Sequence, residues 1–272
     1  MRSFRPLLTG VLAAVALAPA CNTTERVDLL FRAPEGSHAR YTVAVDSEVI
    51  TELVGPPERT RERVVLAAEQ LVLALTDTEA DLRISMTRAG ERPRVFEVRL
   101  DPRGGLAEID RVEGLPVEAL GELGPSRLIL LASGLLPGRP LRVGGEWDIE
   151  RQLELPEGNG RLRGTGRLMS LRVEGGVDLA RVRAETSLPV DRTLTLPEGR
   201  VRLSGTESTT ATLDYVIDDG TVQRAKSITT GRFALVVTPP AGGLAPVEGH
   251  LTVRVESTTS RTRTATTPPR DA

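Results

Sequence analysis

Residues able to do chemistry are few in this 272-residue chain, and their spacing matches no catalytic template. The two histidines, His38 and His250, lie far apart, and neither is paired with another histidine or with a cysteine nearby. HExxH, CxxC and paired-His spacings are absent, so a zinc or transition-metal site lacks its ligands. A serine nucleophile would want G-x-S-x-G or S-x-x-K, and neither occurs. There is no Walker-type GK[ST] and no GxGxxG; Gly164-Thr165-Gly166 sits inside a strand-like run and reads as a flattened or bulged strand. Carboxylates are plentiful, but glycan sites usually add aromatic platforms, and only 3% of the chain is aromatic. Asp101 and the pair Asp218-Asp219 fall in Gly-containing turns, where a short acidic side chain has a local backbone task. An Asp-Asp-Gly calcium fragment would need the rest of a 12-residue ligand loop, which is missing. The expectation is therefore a non-enzyme without metal or cofactor, with an envelope hydrolase as the remote alternative.

Cys21 is the one cysteine. Before it come a basic start (Arg2, Arg5), a charge-free apolar run from Leu7 to Ala18, and Pro19-Ala20. That order of basic, apolar and small residues is the order of a secretory signal. The run is shorter than the roughly 20 residues that span a bilayer. Leu17-Ala18-Pro19-Ala20-Cys21 resembles the lipobox of bacterial prolipoproteins, whose cysteine is acylated and becomes the new N-terminus. It departs from the usual pattern in placing Leu one position further away and Pro19 before the small residue. The resemblance implies a lipid anchor at Cys21, palmitate among its acyl chains, and a domain outside the cytoplasm. Ordinary signal cleavage beside an incidental cysteine is the alternative. Asn22 in place of an aspartate leans towards the outer membrane. Without Arg2 and Arg5 the formal charge moves from −2 to −4, which is no footprint for nucleic acid.

The elements that would carry any site are strands. Tyr41, Val43 and Val45 alternate with polar neighbours, as do Leu82, Ile84 and Met86, then Phe96, Val98 and Leu100. The same parity recurs in Trp147, Ile149, Leu153 and Leu155, in Ala211, Leu213, Tyr215 and Ile217, in Phe233, Leu235 and Val237, and in Leu251, Val253 and Val255. Such alternation buries one face of an antiparallel sheet and wets the other. Turn signals separate the runs: Gly55-Pro56-Pro57, Asp101 to Gly105, Glu157 to Gly160, Glu174-Gly175-Gly176, Pro197-Glu198-Gly199 and Asp218-Asp219-Gly220. The parity slips between Leu168 and Met169, which predicts a β-bulge. Trp147, the single tryptophan, reads as a core anchor, with a ligand platform as the alternative.

Residues 116–136 break the rhythm. Pro116, Pro125, Ser126, Gly134 and Pro137 punctuate two short helices, Val117 to Leu123 and Ser126 to Leu135. The second is apolar nearly all round, so it should lie buried on the sheet. It either plugs the sheet or roofs an acyl-chain cavity lined by Leu128, Ile129, Leu131, Leu135 and Leu136. Phe96 to Gly114 parallels Leu213 to Gly231, which is either an internal duplication or two similar hairpins.

Two short motifs, Leu100-Asp101-Pro102-Arg103-Gly104 and the run from Leu136-Pro137-Gly138 to Gly144-Gly145-Glu146-Trp147, resemble an uncharacterised family of secreted bacterial lipoproteins. That resemblance spans Tyr41 to Val237 and implies no activity or catalytic residue. The order of strands, apolar helices and further long strands is similar to the LolA/LolB and LppX/LprG-like half-barrel carriers, which hold lipid or lipoprotein acyl chains.

The expected fold is all-β and mainly antiparallel, a single curved sheet or open barrel of roughly 10–12 strands with the apolar helical interlude near residues 116–136. The expected layout is a signal over 1–20, an acylated cysteine and tether over 21–26, the β domain over 27–262 and a disordered tail over 263–272. The expected function is an envelope lipoprotein, membrane-held, that binds a hydrophobic ligand or lipid. The alternative is a structural or protein-interaction module without a small-molecule ligand.

Overall fold

The computed structural model describes residues 26–113, 136–155, 158–196, 199–240 and 245–262. The signal region with Cys21, the two expected helices and the C-terminal tail lie outside the described residues.

The fold is all-β. Among the described residues eleven strands form one antiparallel sheet: β1 (His38–Glu52), β2 (Glu58–Leu75), β3 (Ala80–Arg88), β4 (Arg94–Leu100), β5 (Leu106–Glu113), β6 (Glu146–Leu155), β7 (Gly158–Glu174), β8 (Val177–Leu196), β9 (Gly199–Val216), β10 (Val222–Thr238) and β11 (Val247–Thr262). Their order across the sheet is β5-β4-β3-β2-β1-β11-β10-β9-β8-β7-β6. Two meanders, β1 to β5 and β6 to β11, are thus joined by the first and last strands, which pair from Arg40↔Thr262 to Glu52↔His250. The outermost strands β5 and β6 do not pair with each other, so the sheet is strongly curved and open.

The alternation in sequence becomes two faces. Tyr41, Leu82, Ile84, Phe96, Val98, Leu168, Val182 and Leu213 are buried together on the concave face. The convex face is paved with arginine–carboxylate pairs such as Arg61–Glu48, Arg83–Glu97 and Arg161–Glu150. These exposed pairs stabilise little individually and serve mainly to keep a large sheet face wetted. The predicted bulge is present: the β7/β8 register shifts between Leu168 and Ser170. Further shifts fall at Val72/Ala74 and Val222/Arg224, at the same end of the sheet. Bulges add local twist and bend, so the sheet curls most there.

That end, here the base, holds the β4–β5, β7–β8 and β9–β10 turns; the opposite end, the rim, holds the β1–β2 turn. An extended strap precedes β1 and crosses the base. The sequence suggests Val27 as the start of a strand, but the segment makes only an isolated bridge to Leu141 before β1 begins at His38. It keeps period two without joining the sheet: Val27, Leu29, Phe31 and Ala33 are all buried in the core. Leu29→Ala should therefore lower stability by about 3 kcal/mol, the usual cost of emptying a buried leucine site. Urea unfolding followed by Trp147 fluorescence checks this, because Trp147 is the only tryptophan and belongs to the same core.

Candidate functional site

Two places on the scaffold concentrate unusual features: the base, where the strap and the distinctive turns converge, and the rim half of the concave face.

At the base, adjacent strap amides bind two different hairpins. The Phe31 amide donates to the Pro102 carbonyl (2.8 Å) in the β4–β5 turn, and the Arg32 amide donates to the Asp219 carbonyl (2.9 Å) in the β9–β10 turn. These are the turns of the two parallel sequence stretches, so the similar hairpins do the same job on either side of the strap. Gly220 makes room for the crossing. Its φ is +68°, and a Cβ there would sit 2.0 Å from the Leu30 carbonyl oxygen.

The two family-like motifs meet here. Asp101 Oδ1 accepts from the amides of Arg103 and Gly105, both 2.9 Å, folding the turn around its own side chain. Arg151 of β6 grips the same carboxylate from the other edge of the sheet, at 2.7 Å to Oδ2 and 3.1 Å to Oδ1. Its guanidinium lies against Gly105, where a Cβ would come within 1.7 Å. Leu136 packs beside Gly104, and its amide approaches the Arg103 carbonyl at 3.4 Å. Leu141 holds Val27, and Trp147 lies flat on Gly166 of β7, with 2.3 Å between the indole and a hypothetical Cβ. Trp147 is a core anchor in this arrangement, being 6% exposed.

Asp101 also carries a pH dependence. Burial works to raise its carboxyl, but the Arg151 hydrogen bond and the Gly105 and Arg103 amides outweigh it and hold the group below the usual carboxylate range. A carboxyl whose native pKa is depressed adds stability above its unfolded value near 4 and loses it as pH falls through the native value. Asp101→Asn should thus cost about 2 kcal/mol at pH 7, typical of a hydrogen bond to a charged group. Urea midpoints of the two proteins should converge as pH is lowered below 4.

Open to solvent beside the strap is a groove of about 560 Å³ lined by Arg26, Val27, Arg32, Leu171, Val173 and Asp178, among others. Behind it, on the convex face, Asp214 is 4% exposed and is held by Arg172 at 2.7 Å and Arg181 at 2.8 Å, with Arg224 at 3.5 Å. The hydrogen bond to Asp214 raises the Arg181 pKa. Sequence reading found neither Asp214 nor Arg151, because arginine and acidic residues are everywhere in the chain and nothing local distinguishes these.

Beneath the strap, Tyr41 is buried and its hydroxyl has no hydrogen-bond partner among the described residues. Burial pushes the Tyr41 pKa up to about 12, with Arg261 opposing and Asp219 adding to the shift. Removing an unpaired buried hydroxyl deletes its desolvation cost, so Tyr41→Phe should keep stability or raise it by about 1 kcal/mol. Thermal melts compared with wild type check this.

The rim half of the concave face is built differently. Above the core runs a band of small polar side chains: Thr209 and Thr229 hydrogen-bond across β9 and β10 at 2.8 Å, and Ser227 and Ser257 across β10 and β11 at 2.8 Å. Beyond it lies a second apolar cluster, Leu203, Phe233 and Leu235, with Val190, Val201, Val237, Leu251 and Val253 packed around it. The Phe233 ring covers Gly231 on its own strand and Gly205 on β9, where a Cβ would lie within 2.6 and 2.9 Å of it. This cluster is on the same face as the core, since β9 alternates without a register shift from Val201 to Tyr215.

Of the residues expected to line a cavity, Leu136 is described, and it belongs to the main core at 3% exposure. Leu128, Ile129, Leu131 and Leu135 lie outside the described residues, as does Cys21. His38 stands at the base, 3.6 Å from Glu69, and His250 near the rim opposite Glu52, so the histidines do not meet. Among the described residues no three of His, Cys, Asp and Glu gather as metal ligands. No protein-family model matches the chain, and no curated protein matches it.

Proposed function

We propose that this chain is a cell-envelope lipoprotein, acylated at Cys21, that holds a hydrophobic molecule against the rim half of its concave face and catalyses nothing. The observation that carries this reading is the second apolar cluster around Phe233. Domains usually build one contiguous core, with smaller satellite clusters under long loops. Here the strands run on past a complete core and a polar band, and then present aliphatic and aromatic side chains again on the inner face. Val190, Val201, Val237, Leu251 and Val253 are only partly buried, as suits an apolar surface completed by a ligand. The signal-like N-terminus and the lipobox-like approach to Cys21 support the anchor and a place in the envelope, with the outer membrane favoured by Asn22. The half-barrel carriers offer the same architecture, a curved sheet with an apolar inner face, as a fold-level analogy.

The test is native mass spectrometry of the domain from residue 22 onward, produced in a bacterial periplasm. Wild type should carry co-purified lipid, and Leu251→Glu or Phe233→Glu should lose it while the Trp147 emission of the folded protein is retained. A clean ligand-free mass for wild type would contradict the carrier reading and favour a protein-interaction module using the edge strands β5 and β6.

A further inference from the structure

The strap fixes which end of the domain can approach a bilayer. Val27 is tied to Leu141 in both directions, amide to carbonyl, at 2.8 and 2.9 Å. Only residues 22–26 separate it from Cys21, a tether of roughly 20 Å at full extension. β8 alone runs for 20 residues from base to rim, about 65 Å of extended chain. An acyl anchor on Cys21 therefore keeps the base within reach of the lipid and leaves the rim far from it.

The base also has the chemistry of an interfacial contact. Val173 and Val177 flank the Gly175-Gly176 tip of the β7–β8 hairpin and are 70% and 37% exposed. Leu171 and Ile217 line the groove beside them, together with Arg26, Arg32 and Arg172 and with Asp28, Asp178 and Asp218. Apolar tips beside a groove of mixed charge suit the headgroup boundary, where the aliphatic part enters and the polar groups stay at the headgroup level; Arg172 itself is held by Asp214. The rim also has an apolar tip, Leu53 and Val54 in the β1–β2 turn at 40% and 85% exposure, so the short tether decides which end meets the anchoring leaflet.

We propose that the base docks on the membrane that holds the anchor. The Val173–Val177 hairpin tip enters the lipid interface, and the Phe233 cluster faces away from the bilayer. This orientation rests on acylation of Cys21. It means that a hydrophobic ligand is taken up or handed on from the aqueous side, and is not drawn straight from the anchoring leaflet.

The experiment uses the full chain, acylated in a bacterial host and reconstituted into phosphatidylethanolamine/phosphatidylglycerol vesicles. One fluorophore is attached at Val173→Cys or at Val54→Cys. Val54 lies in the β1–β2 turn at the rim and is 85% exposed, so both probes sit on exposed valines at opposite ends. Nitroxide-bearing lipids should quench the probe at position 173 strongly and leave the probe at 54 almost unchanged. Quenching at 54, or at neither position, in a protein whose mass shows the acyl chains overturns the orientation while leaving the anchor intact. A product whose mass shows no acylation, and which stays off the vesicles, overturns the anchor and the orientation together.

Discussion

The structure depends on a single crossing. An open sheet of this width has an unclosed base, and backbone and apolar side chains there would otherwise meet water. The strap covers that end with Val27, Leu29, Phe31 and Ala33, and it satisfies its own amides on the turns it passes. Burying three large side chains contributes on the order of 5 kcal/mol, comparable with the net stability of a whole domain. The crossing is possible because Gly220 has no Cβ to strike the Leu30 carbonyl, and because Asp101 and Arg151 bring the β4–β5 turn to β6. Base closure, curvature and the position of the strap are thus one constraint expressed three ways.

With the base filled, the rest of the concave face is released from the duty of forming a core. The change of composition along β9 and β10 follows that division: Leu213 and Tyr215 in the core, Thr209 and Thr229 in the polar band, then Leu203, Phe233 and Leu235. Cross-strand hydroxyl pairs satisfy each other in the band, so it costs little to bury and still separates two apolar regions. Phe233 covers Gly205 and Gly231 there, an aromatic-over-glycine contact that fixes the β9/β10 register away from the main core. The proposed ligand binding at the rim and the proposed attachment at the base are compatible because the band keeps them apart.

Much of this was legible in the sequence because period-two alternation survives wherever only one face is wetted. The parities of Tyr41, Leu82, Phe96, Leu213 and Phe233 all point inward, and the slip after Leu168 is a bulge. β2 escaped notice: its run of Val64, Val65, Leu66, Ala67 and Ala68 has apolar residues on both faces, so no period stands out. The strap imitates a strand because it too is buried on alternate residues, yet its partners are turns scattered along the chain. Arg151 and Asp214 could not be found because their roles exist only once distant strands are side by side. The turn from Leu100 to Gly104 and the segment from Leu136 to Trp147, by contrast, stood out in the sequence, and they pack together at the base, Leu136 beside Gly104 and Gly138 against Arg103.

The claim on which the account rests is that the rim half of the concave face, and no other surface, receives a hydrophobic molecule. Photo-crosslinking with a diazirine fatty acid in native envelopes, followed by peptide mapping of the adducts, addresses it directly. Adducts concentrated on the β9 stretch around Leu203 and the β10 stretch around Phe233 and Leu235 are the predicted result. Adducts confined to the convex face, or an unlabelled protein, would contradict it.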